Sequence, residues 1–402
     1  MARVLYVSQY FVGADQPGGQ RHYQHCQALR RAGHDVTVVT SYVQHKERTV
    51  PERYRGKRVV REEEDGLTVW RTYSTPGYGR DLRSRLASYT SFALWGSLAS
   101  ARAGRFDVVV ASSPPLPAAA AAAALARARR ARFVLEVRDL WPDSAVAMGL
   151  VTDRRIIAAA RRMEHFCYRS ASAIVVLTEG IRDGVVAQGV SPAKVALVTN
   201  GIEPGGAPDG PAPVPVPDGA FVAMYVGAHG TYSSLGTVLD AADRLRDRPD
   251  VRFVLVGGGD QKPALVDEAA RRDLGNVAFV DPVPKRDVPA WLARADACLL
   301  PYQDRELFAG ALPNKTFDYM GAGRAIVAAV RPGEVSRLLD TAGCGVTVPP
   351  EDGAALATAV ARLADDRAAA ARMGQAGASY VRAHYDRAEL AQRFVRVVES
   401  VV

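Results

Sequence analysis

The chain has 402 residues, 48% of them hydrophobic and 23% charged, which excludes a single typical core and fits a globular protein of two domains or three. Its formal charge of +8 is carried almost wholly by arginine, since lysine occurs only at positions 46, 57, 194, 262, 285 and 315. No nucleic-acid motif or interleaved aromatic run accompanies that charge, which argues against a nucleic-acid partner and leaves anionic small molecules or an anionic membrane face.

The opening MARVLYVSQYF enters a strand pattern at once, with no charged start, long apolar run and cleavage site, so a cytoplasmic chain is expected. Cys26, Cys167, Cys298 and Cys344 lie far apart, without CxxC or zinc spacing, and read as buried thiols in a reduced compartment. The Ala-rich run 118–126 is short, preceded by prolines and followed by arginines, and reads as a packed helix, not a membrane span.

Strands are predicted at 3–8, 36–40, 68–71, 108–111, 133–137, 173–177 and 195–198, with helical stretches between most of them. Repeated strand–helix–strand units imply a parallel sheet with helices on both faces. The tract EPGGAPDGPAPVPVPDG over 203–219 has no periodicity and is a linker by composition. The alternation restarts with strands at 221–226, 253–256, 277–280, 297–300, 325–328 and 346–348. The expected organisation is an N-terminal Rossmann-like domain over 1–202, the linker 203–219, a C-terminal domain over 220–375, and a helix over 376–402 packing back toward the first domain. Two doubly wound sheets would face each other across a cleft, with ligands outside the carboxyl ends of the strands.

Candidate sites follow the same order. Gly18-Gly19 stands between the first strand and a helix; such a pair permits close approach of a phosphate, or is a plain turn. The stretch 46–65 is dense in charge and poor in apolar residues, and is expected as a mobile loop over the cleft. Arg80, Arg83 and Arg85 stand beside Leu86, Phe92, Leu94 and Trp95. That is a basic amphipathic helix in peripheral contact with an anionic membrane or, the more economical reading, a helix packed on the sheet with solvated arginines. In EVRDLWPDSAVAMG, Arg138 and Asp139 sit where a strand ends, and a cleft position is preferred to a local ion pair.

In the second half, His229 of Gly227-Ala228-His229-Gly230 is either a donor to phosphate or sugar, or polar surface. The turn VGGGDQK, with Gly258, suits a base or ribose. ELFAGALPNKTFDYMGAG over 306–323 follows an apolar strand. Its small residues let a backbone approach a ligand, and a helix beginning near Pro313 would offer unpaired amides, Lys315 in the first turn and Asp318 about a turn on. Amides and an ammonium suit a diphosphate; the alternative is an ordinary capped helix.

Taken together, these segments resemble glycosyltransferase family 4, the retaining GT-B enzymes that use a nucleoside-diphosphate sugar. The resemblance runs through GGQRHYQHCQALRRAGHDVTVVT, VVVASSPPLP, VLEVRDLWPDSAVAMGL, AIVVLTEGI, VALVTNGIE, VGAHG, FVLVGGGDQKPAL, ADACLLP, GALPNKTFDYMGAGRAIVA and CGVTVPPEDGAAL. Within the family, RDLWPD and GALPNKTFDYM are most like the bacterial subgroup that handles N-acetylated aminosugars such as fucosamine.

The resemblance implies a donor held on the second domain by His229, Gly230, Gly258, Val283, Gly310, Ala311, Leu312, Pro313, Asn314, Lys315 and Asp318, with help from Gly19. The acceptor would lie mostly on the first domain, beside Gly18, Ser113, Pro114 and Trp141. Asp318 falls on the second acidic position of the family's Glu-x7-Glu motif, which usually holds ribose hydroxyls. Gly310 stands at the first, so amides around Ala311 and Leu312 are expected to serve there. The usual Arg and Lys phosphate pair falls near Ala228 and Ser233, which makes Lys315 the expected phosphate cation. The usual His at the first-domain strand end corresponds to Arg138, with Asp139 beside it.

The expected reaction is transfer with retention, carried by Asp139, Arg138 and Lys315. The sugar would be an N-acetylhexosamine from a UDP-sugar, UDP-N-acetylglucosamine first, and the acceptor a small molecule or a lipid-linked sugar. Neither cofactor nor metal is expected. A nucleotide-sugar 2-epimerase and a non-catalytic sugar-nucleotide-binding partner subunit are the alternatives.

Overall fold

The computed structural model describes residues 1–13, 20–43, 49–76, 82–203, 210 and 212–402. It divides the chain into two compact units: Met1–Thr199 with Ala388–Val402, and Asn200–Arg387.

The first unit holds strands β1 Arg3–Val7, β2 Asp35–Ser41, β3 Val59–Glu64, β4 Leu67–Thr72, β5 Val108–Ser113, β6 Arg132–Val137, β7 Ala173–Val176 and β8 Val195–Leu197. They form one sheet in the order β3-β4-β2-β1-β5-β6-β7-β8. Every neighbouring pair is parallel except β3 and β4. Central strands are buried on both faces, which is why VVVASS and FVLEV read as unbroken runs instead of alternating ones.

Strand β3 corrects a sequence expectation. The charge-dense stretch 46–65 was expected as a loop, but its described part makes a short turn at Glu52–Tyr54 and then an edge strand antiparallel to β4. Residues 46–48 lie outside the described residues. Charge is compatible with an edge, where half of the side chains meet water. Here Glu62 and Glu64 both pair across the strand with the buried Arg71.

The second unit holds β9 Phe221–Val226, β10 Val251–Val256, β11 Val277–Val280, β12 Ala297–Pro301, β13 Ala325–Ala329 and β14 Gly345–Val348. The sheet order is β11-β10-β9-β12-β13-β14, all parallel. This is the doubly wound order in which the chain reverses direction between its first and fourth strands. Alternate residues of β9 face opposite ways: Phe221, Ala223 and Tyr225 enter one core, Val222 and Met224 the other. Beyond Met224 the registered pairing of β9 with β12 ends. There the Tyr319 hydroxyl takes over, accepting from the amide of Val226 (3.0 Å) and donating to its carbonyl (3.2 Å).

Two boundaries differ from those expected. The 203–219 tract is not wholly a linker, since Ala212 and Val214 are buried with Ile202 in the second core. From Ala212 to Pro217 the apolar residues alternate with exposed prolines, so they share the side that is buried. The return to the first unit begins at Ala388, not at 376. The helix Arg367–His384 stays with the second unit because its glycines allow close approach: a Cβ on Gly374 would stand 2.0 Å from the Gly323 carbonyl oxygen. Only the last helix, Arg387–Glu399, returns, burying Leu390, Ala391, Phe394, Val395 and Val398 along one stripe. All four cysteines are buried free thiols.

Candidate functional site

In the second unit the site is built where β9 and β12 part. Lys315 lies in the first turn of the helix Asn314–Gly321, whose N-cap is Pro313. Residues Phe317, Tyr319 and Met320 of this helix are buried in the core, which fixes the direction of Lys315. Its ammonium donates to the Tyr225 hydroxyl at 2.7 Å and stands 4.2 Å from the centre of that ring and 5.8 Å from the Tyr302 ring. The Tyr225 oxygen is itself 2.7 Å from the Ala228 carbonyl and 2.8 Å from the Ser233 hydroxyl, so its one proton is used within the turn. Thus Ala228 and Ser233, near which the usual phosphate cations would fall, brace the tyrosine that braces Lys315.

No described carboxylate lies within ion-pair distance of Lys315, and burial lowers its pKa to about 8. Lys262, at the same edge, is different: it donates to the carbonyls of Gly257 (3.0 Å) and Val280 (2.9 Å) and pairs with Asp281 (2.8 Å). A largely buried ammonium without a counter-charge, beside helix amides that have no intrahelical acceptor, is a place for an anion.

The other expected donor residues separate into groups. Ala311, Leu312 and Pro313 form the extended entry to the helix, and Asn314 is exposed at its start. Gly310 ends the turn Glu306–Gly310, whose Phe308 packs with Tyr302 (5.3 Å) and Tyr232 (5.9 Å). Asp318 is half-buried; burial raises its pKa, with Lys285 and Arg387 opposing, and its carboxylate has no hydrogen-bond partner among the described residues. Val283 is half-buried against the core.

His229 fits neither of its expected roles. It is fully buried, neither ring nitrogen makes a hydrogen bond of good geometry among the described residues, and burial together with Lys262 and Lys315 lowers its pKa to about 4, with the Val256 backbone opposing. The glycines after β10 explain why. A Cβ on Gly257 would lie 1.9 Å from the Gly227 carbonyl oxygen, and one on Gly259, where φ is +158°, 2.4 Å from that of His229. Gly258 is similarly close to Pro282, 2.8 Å from its Cγ. The Gly-rich turn therefore makes room for its neighbouring loops and sinks His229 beneath the surface. Gly230 opens the following short turn, with space around it.

In the first unit, Gly18 and Gly19 lie outside the described residues. Arg138 follows β6 and is held by the end of β5: its Nε donates to the Ser112 hydroxyl and its Nη2 to the Pro114 carbonyl, both at 2.8 Å, while its amide donates to the Ser113 carbonyl. Asp139 accepts from the Ser144 hydroxyl (2.8 Å), and burial raises its pKa against that bond and one from the Leu140 amide. Trp141 packs on the core, its amide bonded to the Asp139 carbonyl. Arg138 and Asp139 thus share a strand end but do not pair with each other.

Sequence reasoning missed the cluster just beneath. Glu136 is completely buried and takes a 2.7 Å bond from Arg21, whose guanidinium also holds the Val198 and Thr199 carbonyls. His22 and His25 approach the same carboxylate at 3.3 and 3.7 Å, and the Tyr6 hydroxyl is 2.9 Å from His22. Phe394 of the last helix stacks on His25 at 3.9 Å. Burial opposes the charge on Glu136, but Arg21 holds the carboxyl below the usual range; burial keeps His22 neutral, its pKa lowered to about 3. The signal was legible: a lone acid inside the apolar run FVLEV must be paired, and RHYQH puts Arg21, His22 and His25 on one side of a helix.

Comparisons with known proteins agree with this architecture. Residues 18–201 match the glycosyl transferase 4-like domain and residues 220–366 the glycosyl transferases group 1 domain. A putative colanic acid biosynthesis glycosyl transferase, WcaI of Escherichia coli K12, is 28% identical over 348 residues, covering 83% of this chain and 84% of that protein. Among solved structures, sucrose-phosphate synthase from Thermosynechococcus elongatus has a TM-score of 0.77 at 18% identity, covering 100% of this chain and 99% of its own. Anabaena HepE in complex with UDP-glucose has a TM-score of 0.71 at 16% identity, with 100% of both chains covered. With both halves matched and both sheets doubly wound, the chain belongs to the glycosyltransferases that join a glycosyl transferase 4-like domain to a glycosyl transferases group 1 domain on the GT-B fold.

Proposed function

We propose that this glycosyltransferase moves an N-acetylhexosamine from a UDP-sugar to a small-molecule or lipid-linked acceptor, with retention of configuration and without a metal ion. The observation that carries the reading is Lys315: a largely buried ammonium, held by Tyr225, with no carboxylate partner among the described residues. A diphosphate supplies the missing counter-charge. Departure of the diphosphate builds negative charge on a phosphate oxygen, and a fixed cation with helix amides aimed at it lowers that barrier.

In the step proposed, the bond from the anomeric carbon to the phosphate oxygen breaks and the acceptor oxygen bonds that carbon on the same face. The acceptor proton passes to the departing phosphate, so no side-chain base is required. Asp139 orients acceptor or donor hydroxyls, and Arg138 contributes positive charge at the same strand end. Asp318, without a hydrogen-bond partner among the described residues, can accept from ribose hydroxyls. The uridine assignment draws support from the fold neighbour bound to UDP-glucose. The aminosugar assignment draws on the sequence resemblance and on Phe308, Tyr302 and Tyr232, an apolar group beside Gly310 that suits an acetamido methyl.

The test is UDP and UDP-N-acetylglucosamine binding and turnover by the Lys315→Ala variant. A loss of roughly a hundredfold in donor affinity, from a charge-assisted bond at a buried site, is expected. Full affinity and turnover in the variant would falsify the phosphate assignment. Transfer abolished by chelator and restored by Mg²⁺ would remove the metal-free claim.

A further inference from the structure

The charge of the chain is not spread evenly. Between Leu82 and Arg130 there are seven arginines and one acid, Asp107, so these 49 residues carry a net charge of +6 against +8 for the whole chain. That acid is already bound by Arg3 at 2.9 Å. The segment contains two adjacent helices, Leu82–Arg102 and Leu116–Arg129, neither with an acidic residue.

The first of these helices packs inward through Phe92 and Ala99, both fully buried. Its opposite side presents Ala87, Thr90, Leu94 and Leu98 at three- and four-residue spacing, a single stripe. Leu94 is 66% exposed and Leu98 37%, the only two large exposed hydrophobic residues on one element among the described residues. Beyond Leu98 come the exposed Arg102 and Arg105. Arg129 donates to the Ala101 carbonyl at 3.2 Å, which brings the exposed Arg127, Arg129 and Arg130 to the same end.

We infer that this face of the first unit docks on an anionic lipid bilayer. The helix of 21 residues, about 30 Å long, lies along the surface. Leu94 and Leu98 enter the headgroup–acyl boundary, and the arginines take the lipid phosphates, for which a guanidinium has matching geometry. The charge complementarity selects this occupant. A second copy would bring two strongly positive faces together, and a soluble polyanion would leave the two leucines without a use. No helix among the described residues is long and apolar enough to cross a membrane, and the contact inferred is with the bilayer surface. It does not rest on the donor assignment, because Lys315 belongs to the other unit.

The experiment is co-sedimentation of the full chain with phosphatidylcholine vesicles, with and without phosphatidylglycerol, over a range of salt. Binding at least about tenfold tighter to the anionic vesicles, and weakening with salt, is expected. The Leu94→Glu/Leu98→Glu variant should lose at least about tenfold, and Arg127→Ala/Arg130→Ala should flatten the salt dependence. Both sets of side chains are exposed, so an unchanged melting curve checks the fold, and Leu94→Ser/Leu98→Ser replaces the first pair if it melts early. Equal binding to both lipids, no binding to either, or undiminished binding by the leucine variants overturns the proposal. So does a self-association in solution that the same variants abolish. UDP affinity, measured in parallel, should be unchanged in every variant, which separates this outcome from failure of the donor site.

Discussion

The ammonium of Lys315 and the hydroxyl of Tyr225 lie 2.7 Å apart, although 90 residues separate them in the chain. Tyr225 points Lys315 and does not neutralise it, because the phenol stays protonated with its pKa raised to about 12 by burial. The Tyr225→Phe variant keeps the ring and removes the oxygen. Its UDP affinity should fall about tenfold, the size of one hydrogen bond to a charged group, with the melting temperature changed little. Isothermal titration of wild type and variant measures this; an unchanged dissociation constant would show that the lysine needs no brace.

Lys315 should also set an upper pH limit on donor binding. Its folded pKa of about 8 lies below the usual lysine value, so the charge is complete below that pH and lost as pH rises through it. Diphosphates are fully ionised there and do not add to the change. Above pH 8 the UDP dissociation constant should rise by about tenfold per pH unit, and a Lys315→Met variant should bind weakly with no such break. Stability moves the other way, since the folded state gains as the buried charge is removed.

His229 should behave as a buried neutral imidazole that weakens the fold in acid. Its folded pKa of about 4 is below the ordinary value, so the unfolded chain takes the proton first as pH falls, and stability is lost between the two values. Neither ring nitrogen makes a hydrogen bond of good geometry among the described residues. His229→Leu should therefore stabilise by about 1–3 kcal/mol, the cost of an unsatisfied buried group, and should reduce the acid sensitivity. Denaturant melts between neutral pH and pH 4 decide it, and a large loss of UDP affinity in this variant would restore a ligand-binding role.

Glu136 should be a stability residue whose removal is costly. The carboxyl is fully buried; burial alone would raise its pKa, but Arg21 holds it below the usual range. Its contribution is thus present above the ordinary carboxyl pKa and disappears as pH falls through the folded one. Glu136→Gln leaves Arg21 largely buried without an anion and should cost about 3–5 kcal/mol. A variant melting within a degree of wild type at neutral pH would show that the two carbonyls held by Arg21 suffice.

Much of this was legible in the chain. Apolar runs such as VVVASS and FVAMYV named central parallel strands, because a strand covered on both faces cannot afford alternation. The segment GALPNKTFDYM carried its chemistry openly: small residues, a proline at a helix start and a lysine in the first turn. Strand β3 was illegible because an edge strand whose glutamates serve a buried arginine looks like a charged loop. His229 was misjudged because its burial depends on Gly257 and Gly259 of another loop.

By itself, then, the sequence determined the class of fold, two doubly wound sheets, and the strand end at which Lys315 stands. Both are encoded locally, in periodicity and in residue chemistry over a dozen positions. The tertiary structure alone decided which partners those residues meet. It set Tyr225 under Lys315, gave Glu136 to Arg21, and returned the chain to the first unit only at Ala388. Such pairings depend on which surfaces are brought together by close approach, as Gly374 meets Gly323 and Gly257 meets Gly227. A contact between residues a hundred positions apart leaves no periodic trace in either segment.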